Sequence, residues 1–331
     1  MKILQLKPIF ILREILVNIF FYKLKLRKIL RIGENANISR NLSIDIEDKG
    51  PKHVKNINSS MKVISSGDGF RKININFQGD ELNESNIPRF HDIPRNVSDD
   101  FIKGKDILEI GPGGTMLSGL NLLLEGCNTY TAIDFFPSKV WGDYPNQLYE
   151  IFLNSVPVDK KEHFQDIINK SKEGEGPLRY FGNGGVDGIE VKENVKLDSF
   201  DFIYSWGVLE HVPDPLRMFK RNKEFLKEDG SILHIIDPHP HTWRNINLPY
   251  SFLGVSNFVW DLMYKDRGFI NRLRKSQYLS MAKEAGLSAE VIKELIDDQS
   301  QIPSKNSLIK PFSNMELDDL LCHRFWLYMR K

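Results

Sequence analysis

The run Asp106-Ile107-Leu108-Glu109-Ile110-Gly111-Pro112-Gly113-Gly114-Thr115 carries an apolar stretch into a glycine turn, and Ala132-Ile133-Asp134 ends the next apolar stretch on a carboxylate. Glycines at 111, 113 and 114 let the main chain turn sharply and approach a ligand with no Cβ in the way. A helix starting near Thr115 aims its unpaired N–H groups at the same space. Asp134, about twenty residues past the turn, is placed to accept both hydroxyl protons of a ribose. Together these residues form a grip for an adenosine.

Two residues discriminate between adenosine ligands. The dinucleotide fingerprint G-x-G-x-x-G requires glycine where this chain has Met116. That third glycine permits the close helix–strand contact of the pyrophosphate-binding version, so its loss argues against NAD or FAD. Glu109, just before the turn, suits a ligand whose near end is an ammonium and sits awkwardly beside a pyrophosphate.

The elements that must position these groups follow from periodicity. Lys105 to Ile110 reads as a strand, Met116 to Glu125 as a helix with Leu117, Leu120, Leu123 and Leu124 on one face, and Thr129 to Asp134 as the second strand. A long insertion follows, with helical stretches around Gln147 to Leu153 and Lys160 to Lys172, and glycines blur the third strand. Phe200 to Ser205 is a strand, Leu216 to Leu226 a helix, and Asp229-Gly230 turns the chain into a strand over Ser231 to Ile236. Gln277 to Ala285 reads as a helix closed by Gly286. Ala289 to Ile296 reads as a strand, though its spacing also suits a helix, and Phe325 to Met329 reads as the last strand. Strands alternating with helices imply an α/β fold around a parallel sheet.

Glu109 to Thr115 (E-I-G-P-G-G-T) followed by Ala132-Ile133-Asp134 resembles the first two motifs of class I S-adenosylmethionine-dependent methyltransferases. The stretch Ser199-Phe200-Asp201-Phe202-Ile203-Tyr204-Ser205-Trp206-Gly207-Val208-Leu209-Glu210-His211-Val212-Pro213-Asp214-Pro215 is similar to that family's fourth-strand motif. Its V-L-E-H-V form is that of the small-molecule, ubiquinone-biosynthesis-like (type 11-like) branch. Leu226-Lys227-Glu228-Asp229-Gly230 resembles the L-K-P-G-G turn before strand five, with Glu228 and Asp229 replacing the usual residues. The resemblance covers residues 100 to 331 and implies a Rossmann-like, seven-stranded, mostly parallel sheet with helices on both faces. It also implies S-adenosyl-L-methionine as cofactor. Carried over by position, Glu109, Gly111, Gly113 and Gly114 line the methionine end and Asp134 holds the ribose. Phe135 flanks the adenine, Asp187 (with Glu190 as its competitor) is the acidic partner after strand three, and Ser205 and Trp206 sit beside the sulfonium. Trp206 also has a plain packing role open to it.

Methyl transfer from a sulfonium is an in-line displacement, so the protein mainly aligns its reactants in a dry site. A hydroxyl acceptor also needs a base, and histidine titrates in the useful range. His211 lies in the V-L-E-H-V block, where fixing the loop by hydrogen bonding is an equal alternative. His239 and His241 follow Asp237 at the end of the fifth strand, the edge where open α/β sheets place their sites. Asp237 is a further candidate base. Asp237-Pro238-His239-Pro240-His241 lacks a third or fourth metal ligand nearby, so no metal site is expected.

Trp243, Arg244, Phe252, Trp260, Tyr264, Arg267, Asn271, Arg272 and Arg274 mark a lid-like segment. Its H-x-W…N-R-L-R arrangement is loosely similar to methyltransferases of surface glycan synthesis. Aromatics with arginines suit a sugar face and an anionic group; a lid that packs on itself is the alternative. In a helix Arg272 and Arg274 would diverge by about 200°, so only one could face a site. The expected function is O-methylation of a small-molecule or glycan/lipid-linked sugar acceptor. The alternatives are a nicotinamide-dependent oxidoreductase and a non-catalytic binding protein of the same fold.

The 331 residues are 41% apolar and 27% charged with a formal net charge of +1, which predicts no general affinity for nucleic acid. Cys127 and Cys322 belong to no ligand or disulfide pattern, which fits a reducing, cytoplasmic setting. Residues 1 to 31 hold Lys2, Lys7, Arg13, Lys23, Lys25, Arg27, Lys28 and Arg31 against one acid, Glu14. The apolar pattern from Pro8 to Leu30 is broken by Arg13, Glu14 and Asn18, leaving a run below the roughly 20 residues that span a bilayer. No small-residue cleavage site follows, so no secretory signal is read. This segment reads either as a helix packed on the body or a partner, or as an interfacial helix on an anionic membrane surface. The expected organisation is a basic amphipathic helix over 1–32, an irregular, partly β region over 33–100, and a methyltransferase domain over 101–331 with insertions at about 135–175 and 238–274. The sequence leaves the oligomeric state open.

Overall fold

The computed structural model describes residues 7–19, 61–65, 71–75, 101–240, 243, 248–264 and 270–331. His241, Arg244, Arg267 and most of the 20–100 region lie outside the described residues. The chain opens with helix α1 (Lys7–Val17), followed by two antiparallel strands, β1 (Met61–Ser65) and β2 (Arg71–Ile75).

Strand β3 (Asp106–Ile110) is buried along Ile107, Leu108 and Ile110, the continuous apolar run expected of a strand covered on both faces. Helix α2 (Leu117–Leu124) follows, then β4 (Thr129–Asp134), parallel to β3 with Ile110 paired to Ile133. Gly119 lets α2 lie close on its neighbours: a Cβ there would fall 2.4 Å from Tyr130 Cδ1 and 2.5 Å from Leu178 Cδ1. The close contact that the dinucleotide fingerprint assigns to its third glycine is thus made one helical turn later, and Met116 is fully buried.

The insertion after Asp134 forms α3 (Asp143–Ser155) and α4 (Lys161–Lys172). It leads into β5 (Leu178–Gly182), the strand that the glycines blurred, which pairs in parallel with β4. Next come α5 (Ile189–Asn194), β6 (Phe200–Trp206), α6 (Pro215–Phe225) and β7 (Leu226–Ile236). The expected Asp229-Gly230 turn falls inside β7. Even so, a Cβ on Gly230 would lie 2.7 Å from Leu226 Cδ1 and 3.0 Å from the Lys227 carbonyl oxygen. Residues four apart in a straight strand are separated by about 13 Å, so the chain bends here before running on to Ile236.

The C-terminal part adds α7 (Asn257–Tyr264), α8 (Lys275–Glu284), β8 (Ser288–Ile296), α9 (Leu317–Leu321) and β9 (Cys322–Arg330). The segment whose spacing suited either helix or strand is a strand, β8, antiparallel to β9. Seven strands form one sheet in the order β5-β4-β3-β6-β7-β9-β8, the Rossmann-like, mostly parallel arrangement that the sequence implied.

Two compact units make up the chain. One contains β1, β2, the stretch up to Tyr204, and Glu224–Ser231. At the N-terminal ends of its strands, Lys227 Nζ bridges Asp106 (2.9 Å) and Asp201 (2.8 Å). The other unit contains α1, Ser205–Lys223 and Ile232–Lys331. Its core is aromatic: Trp243, Tyr250, Phe252, Trp260 and Tyr264 are buried together with Phe10 of α1, which meets Trp243 edge-on at 4.9 Å.

Candidate functional site

In the first unit, the turn after β3 is held to β4 by the Gly111 N–H, which donates to the Ile133 carbonyl at 2.8 Å. Gly111 and Gly113 adopt φ of 73° and 76°, the left-handed region that other residues avoid. A Cβ on Gly113 or Gly114 would meet no atom within 4 Å, so the turn opens onto free space. A ligand can therefore approach this main chain closely.

The start of α2 shows what kind of ligand fits. The Met116 N–H donates to the Tyr149 hydroxyl at 2.9 Å, and that hydroxyl donates to the Val140 carbonyl at 2.6 Å. An amide that a pyrophosphate would need is thus already satisfied from within the chain. Tyr149 comes from the insertion, whose role the sequence left unread.

Glu109 is buried between two tyrosines. Its Oε2 accepts from the Tyr130 hydroxyl and, at 2.6 Å, from the Tyr204 hydroxyl. Burial pushes its carboxyl up to about 7, against the opposing pull of the Tyr130, Tyr204 and Ser118 hydrogen bonds. The sequence presented Glu109 as a bare acid beside the turn; the structure adds a hydroxyl cage around it.

Asp134 ends β4 half-buried, with Oδ1 accepting from the Phe136 N–H at 3.3 Å, and burial raises its carboxyl. Phe135 is 63% exposed, its ring 5.0 Å from that of Phe136. Its carbonyl accepts from the Gly184 N–H at 3.0 Å, and a Cβ on Gly185 would lie 3.4 Å from the Phe135 ring. Asp187 closes the 3-10 turn Gly185–Asp187 and is half-buried, whereas its competitor Glu190 is exposed. Asp134, Phe135 and the Asp187 turn therefore gather at the ends of two paired strands.

In the second unit, Ser205 is fully buried and its Oγ lies 2.7 Å from His234 Nδ1, while Asn222 Nδ2 lies 3.0 Å from His234 Nε2. Burial pulls His234 down to about 3, so it stays neutral. This set resembles a nucleophile triad in composition, but all three side chains are sealed from solvent. It ties β6, α6 and β7 together, and leaves the main chain as what Ser205 can present to a ligand.

Asp237 is buried and gripped by Arg324 through Nε–Oδ1 at 2.5 Å and Nη2–Oδ2 at 2.9 Å. The same guanidinium lies 5.5 Å from the Trp206 ring centroid. Glu210 is buried with neither carboxylate oxygen in a hydrogen bond of good geometry; the main-chain amides of Glu210 and Asp237 face it. Burial, reinforced by the charge of Asp237, raises its carboxyl well above the ordinary range. It sits beside the arginine-paired Asp237.

Asn271 locks the turn that bears this pair. Its Nδ2 donates to the Leu209 carbonyl (2.7 Å) and the Val212 carbonyl (3.1 Å), and its own N–H donates to the Glu210 carbonyl (2.8 Å). Of the candidate bases, His211 lies half-buried on this turn. His239 is 2% exposed and enclosed by the rings of Tyr250 (4.7 Å) and Phe252 (5.4 Å). Asp237 is committed to Arg324, and His241 lies outside the described residues.

The helical reading of Arg272 and Arg274 is corrected by the structure. Both precede α8; Arg274 is extended, with φ −105° and ψ 165°, and both are buried. Arg272 donates to the Val255 carbonyl and Asn257 Oδ1 and stacks over Trp260 at 4.8 Å. Arg274 donates to the Pro238 carbonyl and lies 5.4 Å from the Phe252 ring centroid. They bind the lid-like segment to itself, because carbonyls and ring faces satisfy guanidinium groups that no acid among the described residues pairs. Sequence reasoning missed Arg324, Tyr149 and Glu210's partnership with Asp237, since each depends on a contact distant in the chain.

A family model described as a methyltransferase domain matches residues 82–290. Among solved structures, the chain is similar to an S-adenosylmethionine-dependent methyltransferase from Mesorhizobium loti, at 15% identity over 70% of this chain and 92% of that one, with a TM-score of 0.40. It is also similar to the YcgJ protein from Bacillus subtilis, at 13% identity over 69% and 93%, with a TM-score of 0.35. A third similar structure is a Haemonchus contortus phosphoethanolamine N-methyltransferase, at 16% identity over 69% and 48%, with a TM-score of 0.37. No curated protein matches. The family match spans more than half of the sequence, and the chain belongs to the methyltransferase-domain family.

Proposed function

We propose that this chain is an S-adenosylmethionine-dependent O-methyltransferase acting on a small-molecule or glycan/lipid-linked sugar hydroxyl. The observation that carries the reading is the open glycine turn at 111–114 beside Asp134, with the Met116 amide already taken by Tyr149. The turn admits the methionine end of the cofactor, and the satisfied amide disfavours the pyrophosphate of a nicotinamide dinucleotide.

When bound, S-adenosylmethionine supplies an electrophilic methyl carbon on a sulfonium. The main chain at Gly111, Gly113 and Gly114 lines its amino-acid end. Glu109 lies behind that turn, and beside a cofactor ammonium its ionised form would be favoured, the proton passing to solvent. Asp134 accepts the ribose hydroxyls, Phe135 covers the adenine and Asp187 accepts from its amino group. Ser205 contributes main chain at the tip of β6, and Trp206 an aromatic edge that Arg324 holds in place. His211 takes the acceptor's hydroxyl proton, and the Asn271 clamp fixes the turn that carries it. Asp237 and Glu210 set the electrostatics under that turn.

Transfer of labelled methyl onto nucleotide-sugars, lipid-linked sugars and quinone precursors tests this reading. Turnover on one class, lost by at least about a hundredfold in His211→Asn with product affinity retained, is the expected result. Cofactor binding with no turnover on any class would instead favour a non-catalytic binding protein.

A further inference from the structure

Helix α1 carries apolar residues on both its sides. Phe10, Glu14 and Asn18 are buried at 5%, 0% and 2% exposure, and Ile11 and Ile15 pack partly buried against the same core as Phe10. Ile9, Leu12 and Leu16 stand outward at 37%, 57% and 42%. At about 100° per residue these three fall within an arc of about 60°, a continuous aliphatic stripe. Helix α7 packs against α1 and exposes Phe258, at 73%. A helix covering a soluble body turns its polar residues to water and its aliphatic ones inward; here the outer side carries the aliphatic stripe.

Charge indicates what covers that stripe. Residues 1–31 carry eight lysines or arginines and one acid, Glu14. Glu14 is fully buried and paired with Arg13 at 2.7 Å, so it offers no exposed negative charge. Arg13, which neutralises Glu14, lies about 40° from Ile9 around the helix, so the positive surplus is that of the lysines and other arginines of residues 1–31. A second copy would carry the same positive excess in its sequence, and like charges oppose an isologous contact. No helix among the described residues is long and apolar enough to cross a membrane.

We propose that the outer face of α1, extended by Phe258 of α7, seats the protein on an anionic lipid bilayer. Ile9, Leu12, Leu16 and Phe258 enter the headgroup–acyl boundary, while the basic segment meets the lipid phosphates. The inference stands independently of the methyl-transfer reading, since none of these residues belongs to the cofactor turn or the Glu210 block.

Flotation of the full chain with vesicles tests it, using phosphatidylcholine alone and phosphatidylcholine with about one-third phosphatidylglycerol. The wild type floats with the anionic vesicles, less so on neutral ones and less at raised salt. Leu12→Ser/Leu16→Ser lowers the bound fraction at least about tenfold, and Phe258→Ser, on a different helix, lowers it by a smaller factor. Both variants keep the wild-type melting temperature, because the replaced side chains face outward. Product binding, measured in parallel, is unchanged, which separates this test from that of the catalytic reading. A wild type that stays off anionic vesicles would overturn the proposal. So would variants that float as well as the wild type, or a wild-type dimer that the same substitutions dissociate without any vesicle binding.

Discussion

The cofactor turn and the Glu210–Asp237 block are built by opposite means. Around Gly113 and Gly114 there is space that no Cβ contacts, Phe135 stands exposed, and Asp134 is only half-buried. Around Glu210 and Asp237 the side chains are enclosed, with Arg324 paired to Asp237 and Asn271 donating to the carbonyls of the turn. The first region is accessible main chain; the second is a buried side-chain network. Substitutions in the first should therefore move affinity with little change in stability, and in the second they should move stability first.

The largest expected effect tests the closed region. Arg324→Ala leaves Asp237 buried and unpaired beside Glu210 and should cost about 3–5 kcal/mol, read as a lowered denaturation midpoint. An unchanged midpoint would mean that Asp237 is not held as a buried ion. Next, Gly114→Ala should weaken S-adenosylhomocysteine binding at least about tenfold, because its Cβ points into the space a ligand needs. Its melting temperature should stay within a few degrees of wild type.

Gly119→Ala is the converse case. Its Cβ would overlap Tyr130 and Leu178, so about 1–3 kcal/mol of stability should be lost with product affinity nearly intact in the folded fraction. If Gly114→Ala and Gly119→Ala behaved alike, the distinction between an open turn and a packed helix would fail.

The smallest effect concerns pH. Glu109 is raised to about 7 from an ordinary 4.5, so the folded chain holds a proton that the unfolded chain releases. Its stabilising contribution is complete below about pH 4.5, falls as pH rises toward 7, and is gone above it. Glu109→Gln should flatten that part of the stability profile, removing a slope of up to about 1.4 kcal/mol per pH unit. A profile unchanged by the substitution would show that Glu109 ionises as an ordinary carboxylate.

Legibility in the sequence followed the reach of each interaction. The turn, β4 and its terminal Asp134 were readable because glycine spacing and an acid at a strand end are local signals. Even the bent Asp229-Gly230 segment could be recognised. Arg324 was not, since it reaches Asp237 across 87 positions through β9, which lies between β7 and β8 in the sheet. Tyr149 likewise meets Met116 from 33 positions away, inside an insertion with no motif. For Arg272 and Arg274 the sequence left a ligand-facing role and a self-packing lid both open, and the carbonyls and rings that bury them match the second. His239 is a candidate base in the sequence from its place at the strand end; the rings that enclose it, Tyr250 and Phe252, come from further along the chain.

The central claim is that the 111–114 turn and Asp134 hold S-adenosylmethionine. Calorimetric titration of S-adenosylhomocysteine and NADH into the wild type and Asp134→Ala tests it most directly. The account predicts homocysteine-product binding by the wild type, little NADH binding, and a loss of at least about tenfold in Asp134→Ala, worth about 1.4 kcal/mol or more. Tight NADH binding without product binding, or a variant that binds the product as the wild type does, would contradict it.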